Sequence, residues 1–136
     1  MTNMDFFGKM DPYCKFLIGN VMRRTPTVLK GGTDPYFAEA ECEFWIGDTN
    51  WNKPLVFTVY DEDVGSDDLV GGTEFSLLDF FCQDKYEEKW YEIQSRNKKS
   101  GEVLLKMEFV PAGMLTIECV AGRNLINQDD IGEQDP

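Results

Sequence analysis

Two short stretches of the chain carry the side chains best suited to chemistry. The first is Asp5-Phe6-Phe7-Gly8-Lys9-Met10-Asp11-Pro12-Tyr13; the second is Asp61-Glu62-Asp63-Val64-Gly65-Ser66-Asp67-Asp68-Leu69-Val70-Gly71. Each adjoins an apolar run that reads as a strand, so both fit at strand ends. Carboxylates gathered at one end of a sheet repel one another unless a cation lies among them. Hard oxygen donors in number, on irregular loops, suit Ca²⁺, which accepts many oxygens in a flexible arrangement. Mg²⁺ fits less well, because it demands a tight octahedron and keeps its waters. The second stretch opens as an EF-hand loop would, with Asp61-x-Asp63. Gly65 then falls one position early, Gly72 stands where a bidentate glutamate is needed, and strand-like residues flank the loop, so an EF-hand is rejected.

The remaining composition narrows the function classes. The 136 residues make room for one compact domain, and 42% hydrophobic with 13% aromatic content supports a packed core. With 25 acidic and 13 basic side chains the net charge is −12, which opposes nucleic-acid binding. It also opposes attraction to anionic lipid, unless a bound cation cancels charge locally. The absence of histidine excludes histidine-dependent acid/base catalysis and histidine-ligated metals. Paired carboxylates also serve glycoside cleavage, but here they sit on strand-end loops beside an apolar tip, so no enzyme is expected.

The four cysteines, Cys14, Cys42, Cys82 and Cys119, show no CxxC spacing, and all but Cys82 fall within expected strands as small hydrophobes. Met1 to Asp5 has neither a basic start nor an apolar block, and the apolar runs are far too short to span a bilayer. A cytoplasmic protein with reduced thiols is expected.

The elements that must position the aspartates read as strands. Val103, Leu105, Met107 and Phe109 alternate with polar neighbours across Glu102 to Val110, and Leu115, Ile117 and Cys119 do the same across Met114 to Ala121. Further strands are predicted at Tyr13 to Ile18, Pro26 to Leu29, Ala40 to Ile46, Leu55 to Tyr60, Gly72 to Ser76 and Trp90 to Ile93. Turn residues fall between them, at Gly19-Asn20, Gly31-Gly32, Asp34-Pro35, Gly47-Asp48, Val64-Gly65-Ser66 and Pro111-Ala112-Gly113. Leu77 to Phe81 reads as a helical turn capped by Ser76. Many short strands with regular turns predict an all-β sandwich or barrel.

The chain also repeats itself. Asn3, Asp5, Gly8, Asp11 and Pro12 recur as Asn127, Asp129, Gly132, Asp135 and Pro136. Together these features carry a family resemblance. Asp5-x-x-Gly8-x-x-Asp11-Pro12-Tyr13 resembles the first calcium loop of C2 domains, and Thr33-Asp34-Pro35-Tyr36-Phe37 resembles the second, with Asp34 in place of the usual asparagine. Val59-Tyr60-Asp61-x-Asp63 with Asp68-Leu69-Val70-Gly71 resembles the third loop, and Lys89 to Ile93 and Gly101 to Leu105 resemble closing strands.

The resemblance implies an eight-stranded antiparallel Greek-key β-sandwich. It implies Ca²⁺ as the cofactor, about two or three ions, held by Asp5, Asp11, Asp61, Asp63 and Asp68 and by the backbone carbonyl of Phe6. Asp67 competes with Asp68 for the last ligand position, and Asp68 is favoured because it directly precedes Leu69-Val70-Gly71. It further implies a membrane tip at Phe6, Phe7 and Val64, each buried side chain contributing roughly 1.5–3 kcal/mol. Lys15, Arg23, Arg24 and Lys30 are the candidates for a basic lipid-binding patch, and a merely solvated face is the competing reading.

The expected function is Ca²⁺-dependent binding to anionic phospholipid membranes, bringing a larger trafficking or signalling protein to the membrane when Ca²⁺ rises. The alternative is a Ca²⁺-independent scaffold that binds proteins. Residues 1–110 read as a C2 domain lacking its first strand, and 111–136 as the first strand and partial calcium loop of a following repeat. The C-terminal strand is expected to fill the vacant position, either within the chain, as in a permuted fold, or by swapping into a second copy. Asp129 and Asp135 would then compete with Asp5 and Asp11.

Overall fold

The computed structural model describes residues 10–126. Asp5, Phe6, Phe7, Asp129 and Asp135 lie outside the described residues. Eight strands form among those described: β1 (Pro12–Ile18), β2 (Val21–Arg24), β3 (Glu41–Trp45), β4 (Leu55–Asp61), β5 (Asp68–Phe75), β6 (Tyr86–Ser95), β7 (Lys98–Val110) and β8 (Met114–Arg123). All pairings are antiparallel, in the order β2-β1-β4-β5-β6-β7-β8-β3.

One weak link in this order makes two layers. β5 and β6 share the single rung Gly72↔Gln94, whereas every other neighbouring pair shares at least four. The ladder therefore folds at that seam into β2-β1-β4-β5 facing β6-β7-β8-β3. Contacts between layers confirm the closure: Cys14 of β1 meets Cys119 of β8, and the Arg23 guanidinium of β2 lies over the Phe44 ring of β3. Gly71 permits the tight seam: a Cβ there would stand 2.1 Å from the Ser100 hydroxyl oxygen of β7 and 3.2 Å from the Gln94 carbonyl oxygen of β6.

The core follows from period-two burial. Cys14, Phe16 and Ile18 of β1 point inward with Leu55, Phe57 and Val59 of β4, and Phe16 stacks on Phe57. Val103, Leu105 and Met107 of β7 and Leu115, Ile117 and Cys119 of β8 line the facing layer, as their alternation predicts. β8 lies inside its sheet, hydrogen-bonded to β7 on one side and β3 on the other within the same chain. β8 thus completes the sandwich of the described residues.

One predicted strand is not formed. Pro26 to Leu29 is a loop, and the four-residue span that pairs with the outer side of β1 is Val21–Arg24 instead. Gly19 and Asn20 make a two-residue hairpin turn, Gly19 at φ 63°, which puts Val21 directly opposite Ile18. The partner strand must then begin at once, and Pro26, with no N–H, cannot extend the ladder. Elsewhere the strands outrun the sequence pattern: β5 begins at Asp68 and β6 at Tyr86. The predicted helical turn lies slightly later, at Phe80–Asp84, and Leu78 N–H donates to Ser76 Oγ at 3.2 Å.

Candidate calcium site

Strand register brings the described aspartates to one end of the sandwich. Pro12 opposes Asp61 on the last rung of β1–β4, and Asp61 opposes Asp68 on the last rung of β4–β5. Asp11 directly precedes Pro12 of that rung, and Asp63 and Asp67 lie on the loop joining β4 to β5. Like charges directly opposed across a ladder are unfavourable. A bulge sharpens the arrangement: Val59 pairs with Gly71 but Tyr60 with Leu69, so Val70 is an extra residue on β5 and the strand bends just before Asp68.

Hydrogen bonds to backbone hold this end together. Asp61 Oδ1 accepts from Asp11 N–H at 2.9 Å, and Glu62 N–H donates to the Asp11 carbonyl at 3.0 Å. Asp11 Oδ1 accepts from Lys30 N–H at 2.5 Å, tying the 25–32 loop beside the site. In the same loop Val28 N–H donates to the Pro12 carbonyl and Gly32 N–H to the Met10 carbonyl. Asp63 Oδ1 accepts from Val64 N–H at 2.7 Å.

Asp67 differs from its neighbours. Its Oδ2 accepts from the Tyr13 hydroxyl, and its Oδ1 accepts from Asp63 N–H at 3.1 Å. The Tyr13 bond, then the Asp63 amide, hold its carboxyl below the usual carboxylate range. Burial first, then the bond to Asp67, push the Tyr13 phenol up to about 12. One oxygen of Asp67 thus ties the β4–β5 loop to Tyr13 of β1, and the other closes a turn within that loop. Replacing Tyr13 by Phe should leave the sandwich folded and loosen this loop, because it removes the charge-assisted bond to Asp67. Faster hydrogen exchange at the Asp63 amide, with unchanged exchange at the core amides of β7, is the expected result.

The basic candidates divide. Lys15 and Arg24 are cross-strand partners, Lys15 Nζ lying 4.8 Å from the Tyr60 ring centre and Arg24 3.7 Å from that of Tyr13. Arg24 also pairs with Glu62 at 3.7 Å and donates to Thr27. Arg23 faces the other layer, over Phe44, and Lys30 sits in the exposed 25–32 loop at φ 55°. The four side chains therefore do not share one face.

Sequence reasoning missed Tyr13, Glu62 and Thr27 as loop anchors, and it missed Leu29. Leu29, within the predicted strand Pro26 to Leu29, is 77% exposed in the loop bound to Asp11, at the same end as the fully exposed Val64. Asp34 also has a defined role, its Oδ1 accepting from Asn124 N–H at 2.8 Å and so joining the 33–37 segment to the end of β8.

The donor chemistry of this end, all oxygen and mostly anionic, fits a hard divalent cation. Among the described residues no three acidic or thiol side chains converge closely enough to hold a metal by themselves. The further donors implied by the resemblance, Asp5 and the Phe6 carbonyl, lie outside the described residues.

This fold and this loop arrangement are those of a C2 domain. The C2 domain family model matches residues 1–93, and the chain belongs to that family, whose members are binding modules generally directed at phospholipid membranes. It is 31% identical to Synaptotagmin-1 of Rattus norvegicus over 144 residues, 98% of this chain and 33% of that protein. It is 23% identical to Ingression protein fic1 of Schizosaccharomyces pombe over 93% of this chain and 46% of that protein. The chain thus spans less than half the length of these curated relatives. A solved C2 domain-containing protein superposes with a TM-score of 0.65 at 25% identity, covering 80% of this chain and 79% of that one. Among the described residues no helix is long and apolar enough to cross a membrane.

Proposed function

We propose that this chain is a Ca²⁺-dependent module that docks on anionic phospholipid membranes, bringing a larger trafficking or signalling protein from the cytoplasm to the membrane surface. The observation that carries this reading is the register that sets Asp11, Asp61 and Asp68 on adjoining strand ends, with Asp63 on the loop between. Asp11, Asp61, Asp63 and Asp68, with Asp5 and the Phe6 carbonyl, are the proposed ligands. Asp67 is proposed as the loop staple, since its carboxylate accepts from the Tyr13 hydroxyl on β1 and from the Asp63 amide.

Bound Ca²⁺ supplies positive charge at this end and coordination positions for lipid phosphate oxygens. Without it, a chain of net charge −12 with its aspartates gathered here is repelled by anionic headgroups. Exposed Val64 and Leu29 stand ready to enter the interface, and Phe6 and Phe7 belong to the same proposed tip. The response to calcium is then mainly a local change of charge on a fold already formed. Sedimentation with phosphatidylserine liposomes across a Ca²⁺ titration tests the reading. Pelleting that needs calcium supports it; calcium-independent pelleting, or none, overturns it in favour of a protein-binding scaffold.

A further inference from the structure

The core contains a thiol cluster unconnected with the aspartate loops. Cys14 Sγ and Cys119 Sγ approach to 3.2 Å, and both residues are 0% exposed. Cys14 lies on β1 and Cys119 on β8, strands of opposite layers that share no ladder rung. The contact therefore bridges the sandwich face to face. A third thiol, Cys42, sits on β3 beside β8 and is also buried, whereas Cys82 is exposed.

We propose that Cys14 and Cys119 are an oxidisable pair which closes into an intramolecular disulfide joining the two layers. A disulfide needs its sulfurs about 2.05 Å apart, so the present contact must shorten by about 1 Å. That distance lies within the reach of small side-chain and strand adjustments, with no rearrangement of topology. Exchange with a small disulfide such as oxidised glutathione supplies the chemistry. The thiolate of one cysteine attacks the reagent disulfide and expels one glutathione thiolate, leaving a mixed disulfide. The thiolate of the second cysteine then attacks the protein sulfur of that mixed disulfide and expels the second glutathione. Two protein thiols are oxidised, one reagent disulfide is reduced to two thiols, and the two protein protons pass to the released thiolates.

The pair is slow to react in the native state. Both sulfurs are buried, and burial first, then the bond with Cys14, push the Cys119 thiol up. Exchange proceeds when edge strand β3 peels away from β8 and the layers open locally, and the bond locks the layers once they reclose. The residues lie 105 positions apart, so the closed loop is long and constrains the unfolded chain strongly. Because β8 is the last strand among the described residues, the bond also fixes that strand to its own chain.

The test uses the chain as it stands. It is equilibrated in glutathione buffers of graded oxidation under mild denaturant, returned to native buffer, acid-trapped, alkylated and digested. The expected result is loss of two alkylatable thiols per chain, a linked peptide joining Cys14 to Cys119, a monomeric band without reductant, and a Tm raised by roughly 10 °C or more. A Cys42→Ala/Cys82→Ser variant should form the same link, and Cys119→Ala should not. Four alkylatable thiols at the most oxidising poise, a link to Cys42, or a Cys14–Cys119 link found only in covalent dimers would each overturn the proposal.

Discussion

Converting Asp61 and Asp63 together to asparagine should weaken Ca²⁺ binding by roughly 100-fold or more while leaving the sandwich intact. Asparagine keeps the shape of aspartate and keeps a carbonyl oxygen, so residue 61 can still accept the Asp11 N–H that anchors β1 to β4. The negative charge is lost, and one carboxylate oxygen becomes an amide nitrogen that donates and cannot ligate a cation. In chelator, the variant should melt at or above the wild-type temperature, because Asp61 no longer opposes Asp68 as a like charge. Added Ca²⁺ should separate the two proteins. A site at about 100 times its dissociation constant stabilises the folded state by about 2.7 kcal/mol, and the variant should show almost none of this. Calorimetric titration without lipid, beside thermal melts with and without Ca²⁺, measures both effects. Equal calcium responses would remove the third loop from the site.

Leu115→Ala should cost about 2–5 kcal/mol, a large part of the 5–15 kcal/mol that holds a domain of this size together. Leu115 is 0% exposed on β8 and pairs with Phe109 of β7 and Phe44 of β3, so its cavity opens in the interior of one layer. Thr116, on the outer face of the same strand, should tolerate alanine at a small fraction of that cost. Urea melts of the two variants give the comparison. The wild-type midpoint should not change with protein concentration, because β8 closes within its own chain; a midpoint that rises with concentration would mean that β8 is exchanged between chains.

The fold was legible wherever burial imposes a period of two. Leu115, Ile117 and Cys119 announced β8, and Val103, Leu105 and Met107 announced β7, because each strand has one face in the core. β2 was not legible: Val21-Met22-Arg23-Arg24 is a short edge strand with no buried alternation, and its place is set by the Gly19-Asn20 turn. The hairpin turn at Arg96 and Asn97 also escaped, since two polar non-glycine residues at φ 56° and 64° carry a weak signal.

At the candidate site, the aspartates stood out through local spacing, and register then gathered Asp11, Asp61 and Asp68 at one end. The different circumstances of Asp67 and Asp68 could not be read from adjacent letters. They depend on Tyr13, 54 positions from Asp67, and on the extra residue Val70 in the ladder. The same holds for Cys14 and Cys119, which only the facing of two layers brings together.

The most direct test of a calcium-dependent membrane module is sedimentation of the chain with phosphatidylserine liposomes as free Ca²⁺ is raised from chelator to millimolar levels. Pelleting that is absent in chelator, saturates with Ca²⁺ and reverses on chelation is the expected result. A chain that stays in the supernatant throughout, or pellets equally without Ca²⁺, would contradict it.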